Sequence, residues 1–333
     1  MASSVNSITI DELVAAGRFR EAINALTSEN RRRRNPDVEA RLVALRRDAP
    51  IPEGPPHRGG RWPSKTRDRF RHVRGIPEVT RDQLTTKVLR SGILHHGCLL
   101  VRGLIEQPRV DQFVTDIDRA YAGYDAYVKG APASDTAPWF VPFEPRAGEE
   151  VPREWIHEGQ GILAVDSPRT IFDVIEAFDE IGVRDLVTSY LGEAPLLLAS
   201  KWTLRRVEPT GTPDWHQDGA FLGAHIHSIN VWLALSHCGL DAPGLDIVGR
   251  RLDSIVEVGT NGATFDWSVG EGTVRELGGA MRPMFAPGDA LLFDHMLLHR
   301  TAVDPGMTRA RYAIEAWFAA PSAYPSTALP IAY

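Results

Sequence analysis

The sequence predicts a mainly β protein with flanking helices: a strand-rich sandwich or barrel, covered by helices on one face, with a helical extension at its amino end. Helical periodicity dominates up to about residue 191, and short β-prone runs between Gly, Pro, Asn and Asp turns dominate from Pro195 onward. A helix layer followed by strands is the pattern of a sheet core buttressed on one side. The 333 residues allow one large domain plus an appendage, and 43% hydrophobic with 24% charged residues is the composition of an ordinary globular chain. A formal charge of -6 gives no surplus of Lys and Arg to neutralise a phosphate backbone, which argues against nucleic acid as a partner.

Residues 1–47 read as a helical extension. Gly17, Phe19, Glu21, Ala22 and Ile23 resemble the turn and second helix of a tetratricopeptide repeat, and Asn35-Pro36-Asp37 starts a further helix. One repeat cannot bury its own face, so the expectation is a hairpin packed on the main domain, with a protein contact through it as the alternative. The run Arg31 to Arg34 reads as a solvated face. Residues 48–79 are rich in Pro, Gly and Arg and form a linker over the surface, which leaves 80–333 as the main domain. Thr80-Arg81-Asp82-Gln83 has capping-box form, so a helix should run from Arg81 and stop at Gly92, before a strand over 97–101. Pro108 opens a second helix whose apolar positions Val110, Phe113, Ile117, Ala120 and Tyr121 form one face. The aperiodic stretch 125–162, with Trp139, Phe140, Phe143 and Trp155, reads either as a mobile lid over the open end of the barrel or as a static loop whose aromatics plug the barrel's outside. Helices return at 168–178 and 183–191. Strands are expected at 196–207, 225–235, 245–248, 254–258, 273–277, 281–285, 290–294, 298–303 and 311–318.

Cys98 and Cys238 lie in apolar surroundings without C-x-x-C spacing and read as buried free thiols. The segment MASSVNSITIDELV lacks a basic stretch followed by an apolar one, and no window reaches the length of a membrane span. A cytoplasmic protein without membrane contact is the expectation.

The chemistry centres on Pro213-Asp214-Trp215-His216-Gln217-Asp218-Gly219. On a strand, residues i and i+2 share a side, so His216 and Asp218 present an imidazole nitrogen and a carboxylate oxygen to one point. These are two members of a 2-His-1-carboxylate set, which holds ferrous iron and leaves positions open; a second histidine is required. Downstream come Pro287-Gly288-Asp289-Ala290-Leu291-Leu292-Phe293-Asp294, Leu297-Leu298-His299-Arg300-Thr301 and Arg309-Ala310-Arg311-Tyr312-Ala313-Ile314.

With His-Gln-Asp, Val231-Trp232-Leu233-Ala234-Leu235 and Ala242-Pro243-Gly244-Leu245, these segments resemble the phytanoyl-CoA dioxygenase-like family of Fe(II)- and 2-oxoglutarate-dependent oxygenases over about residues 85–325. The resemblance implies a double-stranded β-helix, or jelly roll, with His216, Asp218 and His299 as iron ligands. It also implies Arg311 as the partner of the far carboxylate of 2-oxoglutarate, with Arg309 as the competitor. A guanidinium suits that task because it offers two parallel charge-assisted hydrogen bonds. Thr301 shares a strand side with His299 and would serve the same carboxylate, Trp232 would line the cosubstrate pocket, and Gln217 would touch it. The implied activity is hydroxylation of an unactivated C-H bond of a small molecule with O2, coupled to conversion of 2-oxoglutarate to succinate and CO2. A peptide or carrier-tethered acyl substrate, or a non-catalytic binding role, are the alternatives. Asp218 stands where related halogenases have Gly or Ala, which implies a hydroxylase. Val248-Gly249-Arg250-Arg251 departs from the Pro-Gly-Ser-His of many relatives. His225, His227, His237 and His295 read as packing or capping residues, and His95-His96 as a surface pair where a strand begins.

Overall fold

The computed structural model describes residues 9–52, 62–211 and 214–333. The amino-terminal stretch 1–8, the linker portion 53–61 and Pro213 of the ligand motif lie outside these residues. The extension is three helices, α1 (Ile10–Ala15), α2 (Phe19–Arg32) and α3 (Pro36–Asp48). A Thr9/Glu12 capping box starts α1, Gly17 at φ +71° turns the chain into α2, and Asn35 caps α3 with Pro36 in its first turn. Ala22, Ile23, Leu26, Leu42 and Leu45 are buried against one another and against Phe172 of a later helix. The repeat-like face is therefore consumed inside the molecule. The arginine run is not a solvated face throughout: Arg31 pairs with Glu176, and Arg34 with Asp173 at 2.7 Å, so the run ties the extension down. Arg169 closes the same seam on the fully buried Glu39.

The segment after residue 61 lies on the body of the molecule through Trp62, Phe70 and Ile76. Strand β1 (Glu78–Thr80) follows. The Thr80/Gln83 capping box exists but closes a single 3-10 turn, Arg81–Gln83, and the helix proper, α4 (Thr86–His96), is capped by Thr85. Gly92 does not end it. A Cβ there would sit 2.9 Å from Cβ of Leu99, so this glycine serves close helix-to-strand approach, and Gly97 at φ +82° is the stop. Next come β2 (Cys98–Arg102) and α5 (Gln107–Val128), which runs into the stretch expected to be a lid.

That stretch also contains α6 (Ala133–Thr136) and α7 (Arg153–Glu158) and leads into β3 (Gly161–Leu163). Phe140 and Phe143 are buried in the main core, and Trp139 lies 4.7 Å from the guanidinium of Arg119 and 5.6 Å from that of Arg169. The buried Asp166 pairs with Arg153 and accepts from the Phe143 amide at 2.6 Å. Trp139, Phe140 and Phe143 are thus held as the static-loop reading expects, and of the four only the exposed Trp155 faces the functional cavity described below. Helices α8 (Pro168–Glu180) and α9 (Val183–Leu191) complete the covering layer.

The strand-rich half contains β4 (Leu196–Leu198), β5 (Thr203–Val207), a short α10 (Gly219–Leu222), β6 (Ser228–Ala234), β7 (Gly244–Ile247), α11 (Glu271–Glu276), β8 (Ala290–Phe293), β9 (His299–Ala302), β10 (Arg311–Ala319) and β11 (Pro330–Ala332). Three expected strands are corrected. Residues 254–258 are irregular, 273–277 lie mostly in α11, and 281–285 contribute only isolated bridges from Met281 and Phe285. The larger sheet runs β1-β2-β8-β6-β10-β4-β11, with β5 also on β10 and β3 on β5. The smaller pairs β7 with β9 and is lengthened by the bridges His216↔His299 and Ile247↔Met281. Together they form the jelly roll. Every residue of β6 is buried, as expected for a strand with helices behind it and the small sheet in front. Both cysteines are free and buried, and burial pushes the Cys98 thiol up to about 12. Among the described residues no helix is long and apolar enough to cross a membrane.

Candidate active site

His216 and His299 are directly opposite one another across an antiparallel bridge. Each amide donates to the other's carbonyl, at 2.9 and 3.0 Å, which sets the imidazole centroids 4.5 Å apart. Asp218 joins them by a different route from strand alternation. Its backbone is helical, φ -58° and ψ -27°, at the cap of α10, so the chain turns after His216 and swings the carboxylate back. One nitrogen or oxygen from each of His216, Asp218 and His299 lies within 4.8 Å of the other two. Nδ1 of His216 lies 3.0 Å from the Asp214 carbonyl, and Nδ1 of His299 lies 3.0 Å from that of Leu297. A carbonyl only accepts, so both Nδ1 atoms carry the proton and both Nε2 lone pairs are free for a metal.

Burial, reinforced by the neighbouring His299, pushes the His216 imidazole down to about 4, so it is neutral at pH 7. Burial alone would raise the Asp218 carboxyl; Lys201, with the two imidazoles, overrides this and holds it below its usual range. Nζ of Lys201 contacts Oδ1 of Asp218 at 2.8 Å, while Oδ2 lies 3.6 Å from Nε2 of His299. The lysine thus grips one oxygen and leaves the other on the histidine side. Two imidazoles and one carboxylate are the donor set that suits a non-haem ferrous ion.

The set opens into a cavity of about 520 Å³ between the two sheets. Alternation on β6, β8 and β10 aims Asn230, Trp232, Phe293, Arg311, Glu315 and Trp317 inward, and β9 contributes Thr301 beside His299. Arg311 is 2% exposed. Its Nη1 donates to the Gly244 carbonyl at 3.0 Å, its Nε has no partner, and it lies 5.4 Å from the Trp232 ring. Nε1 of Trp232 and Oδ1 of Asn230 are also buried without partners. An unmade buried hydrogen bond costs about 1–3 kcal/mol, so three orphans around one cavity mark a place that a polar ligand completes. Burial pulls the Arg311 guanidinium down from its ordinary value, which an anion at the same place would reverse. Glu315, held down at about 2 by Arg205 and Thr203 against the opposing effect of burial, is already satisfied.

Of the residues read from sequence, His216, Asp218, His299, Arg311, Thr301 and Trp232 meet at this cavity. Gln217 does not. Its Nε2 donates to the carbonyls of Met296 and Ser254, and its Oε1 accepts from the Val256 amide at 2.7 Å, so it braces the loops on either side of the His-Asp-His set. Arg309 is exposed beside Asp241, 3.5 Å away, and is no rival to Arg311. His227 stacks on Trp62, His295 is buried with Nδ1 3.0 Å from Oγ of Ser228, while His225 and His237 are exposed. His95 and His96 form the last turn of α4, one residue before β2 begins, with His95 exposed and His96 half-buried. In the departure segment, Arg251 forms a buried pair with Asp294, whose other oxygen takes the Met296 amide; this locks the turn that delivers His299. Sequence reasoning missed Lys201, Asn230 and the exposed aromatics Phe221 and Trp267 at the cavity mouth. Asn230 was within reach, two residues before Trp232 on the same strand side. Lys201 carried no local signal.

A jelly roll with this ligand set and an inward arginine is the fold of the 2-oxoglutarate-dependent non-haem oxygenases. Residues 93–303 match the sequence model of the phytanoyl-CoA dioxygenase (PhyH) family, and the chain belongs to that family. The match includes all three metal-ligand candidates and ends before Arg311. Among solved structures, EctD from S. alaskensis with 2-oxoglutarate and 5-hydroxyectoine is similar at 16% identity, over 80% of this chain and 86% of that one, with a TM-score of 0.48. The non-heme alpha ketoglutarate dependent carbocyclase SnoK from nogalamycin biosynthesis is similar at 14% identity, over 73% and 87%, with a TM-score of 0.48. The epimerase SnoN from the same biosynthesis is similar at 12% identity, over 68% and 79%, with a TM-score of 0.41. No curated protein matches the chain.

Proposed function

We propose that this protein is an Fe(II)- and 2-oxoglutarate-dependent oxygenase that hydroxylates an unactivated C-H bond of a small organic molecule. The observation that carries the reading is the shared cavity: a buried His-Asp-His set with both Nε2 atoms free, facing a buried arginine whose Nε lacks a partner. Iron with 2-oxoglutarate and O2 supplies the oxidising chemistry, with succinate and CO2 as coproducts. The chain's own residues do the rest. His216, Asp218 and His299 hold the metal, and Lys201 fixes which oxygen of Asp218 is offered to it. Arg311 and Thr301 receive the far carboxylate of the cosubstrate, with Trp232 as the apolar wall beside it. The sheets exclude water from the interior, where each charge contact is stronger than at the surface.

A small-molecule substrate is supported by the cavity volume and by the exposed aromatics that line it, Trp155, Phe221 and Trp267, the last two within 6.4 Å of the His216 ring. Large apolar side chains left in water at a cavity rim are the usual mark of a binding surface. The test is a screen of candidate small molecules for substrate-dependent succinate formation, with the product read by mass. Gain of one oxygen atom per succinate supports hydroxylation. Loss of two hydrogens, or rearrangement without gain of oxygen, would overturn it in favour of another outcome on the same scaffold.

A further inference from the structure

A second cavity, also of about 520 Å³, lies away from the jelly-roll interior, between α2 and the end of α3 on one side and α8, α9, β4 and β11 on the other. Its wall contains Arg46, which is only 5% exposed. A guanidinium so far from water is normally paired with a carboxylate, because removing a cation from solvent costs several kcal/mol. Arg46 has one hydrogen bond, from Nη1 to the Ala332 carbonyl at 3.3 Å, and no ion pair among the described residues.

The other charges around the cavity do not compensate it. Arg20, Arg31 and Arg184 line it as well, against Glu176 and Asp179, and both carboxylates are engaged: Glu176 by Arg31, Asp179 by Arg184 at 2.8 Å. Among the described residues four cations face two anions, so this part of the cavity wall carries a surplus of two positive charges. Arg184 also lies 4.0 Å over the ring of Tyr333, whose hydroxyl is buried beside Arg184 and Asp179. Phe19, Ile23 and Pro50 give the remaining wall an apolar character. Burial, with Arg184 nearby, pulls the Arg46 guanidinium down to about 10, which leaves it charged at neutral pH.

We propose that this cleft, between the helical extension and the jelly roll, is a second binding site for an organic anion carrying a phosphate or carboxylate group on an apolar body. The anionic group sits between Arg46 and Arg184, and the body lies against Phe19 and Ile23. Occupation links α2 and α3 to α8 and α9 through one ligand, so the extension serves as half of a site as well as a packed cover.

Calorimetric titration of the full chain with phenyl phosphate, benzoate and inorganic phosphate tests this. Phenyl phosphate or benzoate should bind one to one and saturably, at least about tenfold more tightly than inorganic phosphate, and the tighter of the two identifies the anionic group. Arg46→Met should weaken that binding at least about tenfold, and Arg184→Gln should do so where Arg46→Met fails to fold. Arg311→Leu, in the other cavity, should leave it unchanged. Absence of saturable binding by either aryl anion, or loss with Arg311→Leu but not with the Arg46 and Arg184 variants, would overturn the site. Inorganic phosphate binding as tightly as phenyl phosphate would overturn the apolar half of the assignment.

Discussion

Arg311→Leu separates the role of the inward arginine from a structural one. The wild-type guanidinium is 2% exposed, has one hydrogen bond to the Gly244 carbonyl, and leaves Nε unpaired. Two effects on the ligand-free fold oppose each other: loss of one hydrogen bond, about 1 kcal/mol, and removal of a buried cation without a carboxylate partner, which is favourable. The melting temperature without ligands should therefore move by no more than about 2–4 °C. Binding is another matter. Deleting one partner of a buried charge pair costs about 2–5 kcal/mol, or roughly 30- to 4,000-fold in affinity for 2-oxoglutarate. Arg309→Leu removes an exposed charge 3.5 Å from Asp241, where screening leaves little to lose, and should change affinity less than about threefold. Anaerobic calorimetry of 2-oxoglutarate binding in the presence of Mn(II), beside thermal melts of the ligand-free variants, reads both quantities. An equal or larger effect at Arg309, or an Arg311→Leu protein that keeps its affinity, would refute the assignment.

Further outcomes follow from the same cavity. Lys201→Met strands the buried Asp218 carboxylate, so the metal-free protein should lose up to about 3–5 kcal/mol, and added Mn(II) should raise its melting temperature more than it raises that of the wild type. Gln217→Leu leaves the Val256 amide and two carbonyls unsatisfied and should lower stability by about 1–3 kcal/mol in a denaturant titration, with the KM for 2-oxoglutarate unchanged. Trp267→Ala should raise the substrate KM about fivefold, the worth of roughly 1 kcal/mol of aromatic contact, whereas Trp139→Ala, held between Arg119 and Arg169, should leave it unchanged. An effect at Trp139 equal to that at Trp267 would contradict the placement of the cavity mouth.

The pair His216 and Asp218 was legible because the two lie two residues apart, whereas His299, far downstream, entered only through the family resemblance. Strand alternation does not bring the pair together, since Asp218 arrives by a helical turn. Capping signals located chain reversals but not their size: the Thr80 box closed one turn, while Gly92, a helix breaker by propensity, sits mid-helix because Leu99 needs the space. Residues 273–277 place Val274 and Leu277 three apart, a helical rather than a strand spacing, but two apolar positions are too brief a pattern to set a period. Lys201 was invisible because its partner is fixed by the meeting of a 3-10 turn and the α10 cap, a tertiary fact without a sequence period. The pairing of Arg31 and Arg34 with α8 was hidden for the same reason: a basic run reads as solvated until the helix carrying Asp173 and Glu176 is placed beside it.

The most direct test of the central claim is anaerobic addition of ferrous iron and 2-oxoglutarate to the purified protein, followed by visible absorption. The account predicts a weak charge-transfer band that saturates at one iron per chain, disappears in His216→Ala and His299→Ala, and requires far more 2-oxoglutarate in Arg311→Leu. A wild-type protein that neither binds ferrous iron nor develops the band, or a band untouched by loss of either histidine, would contradict it.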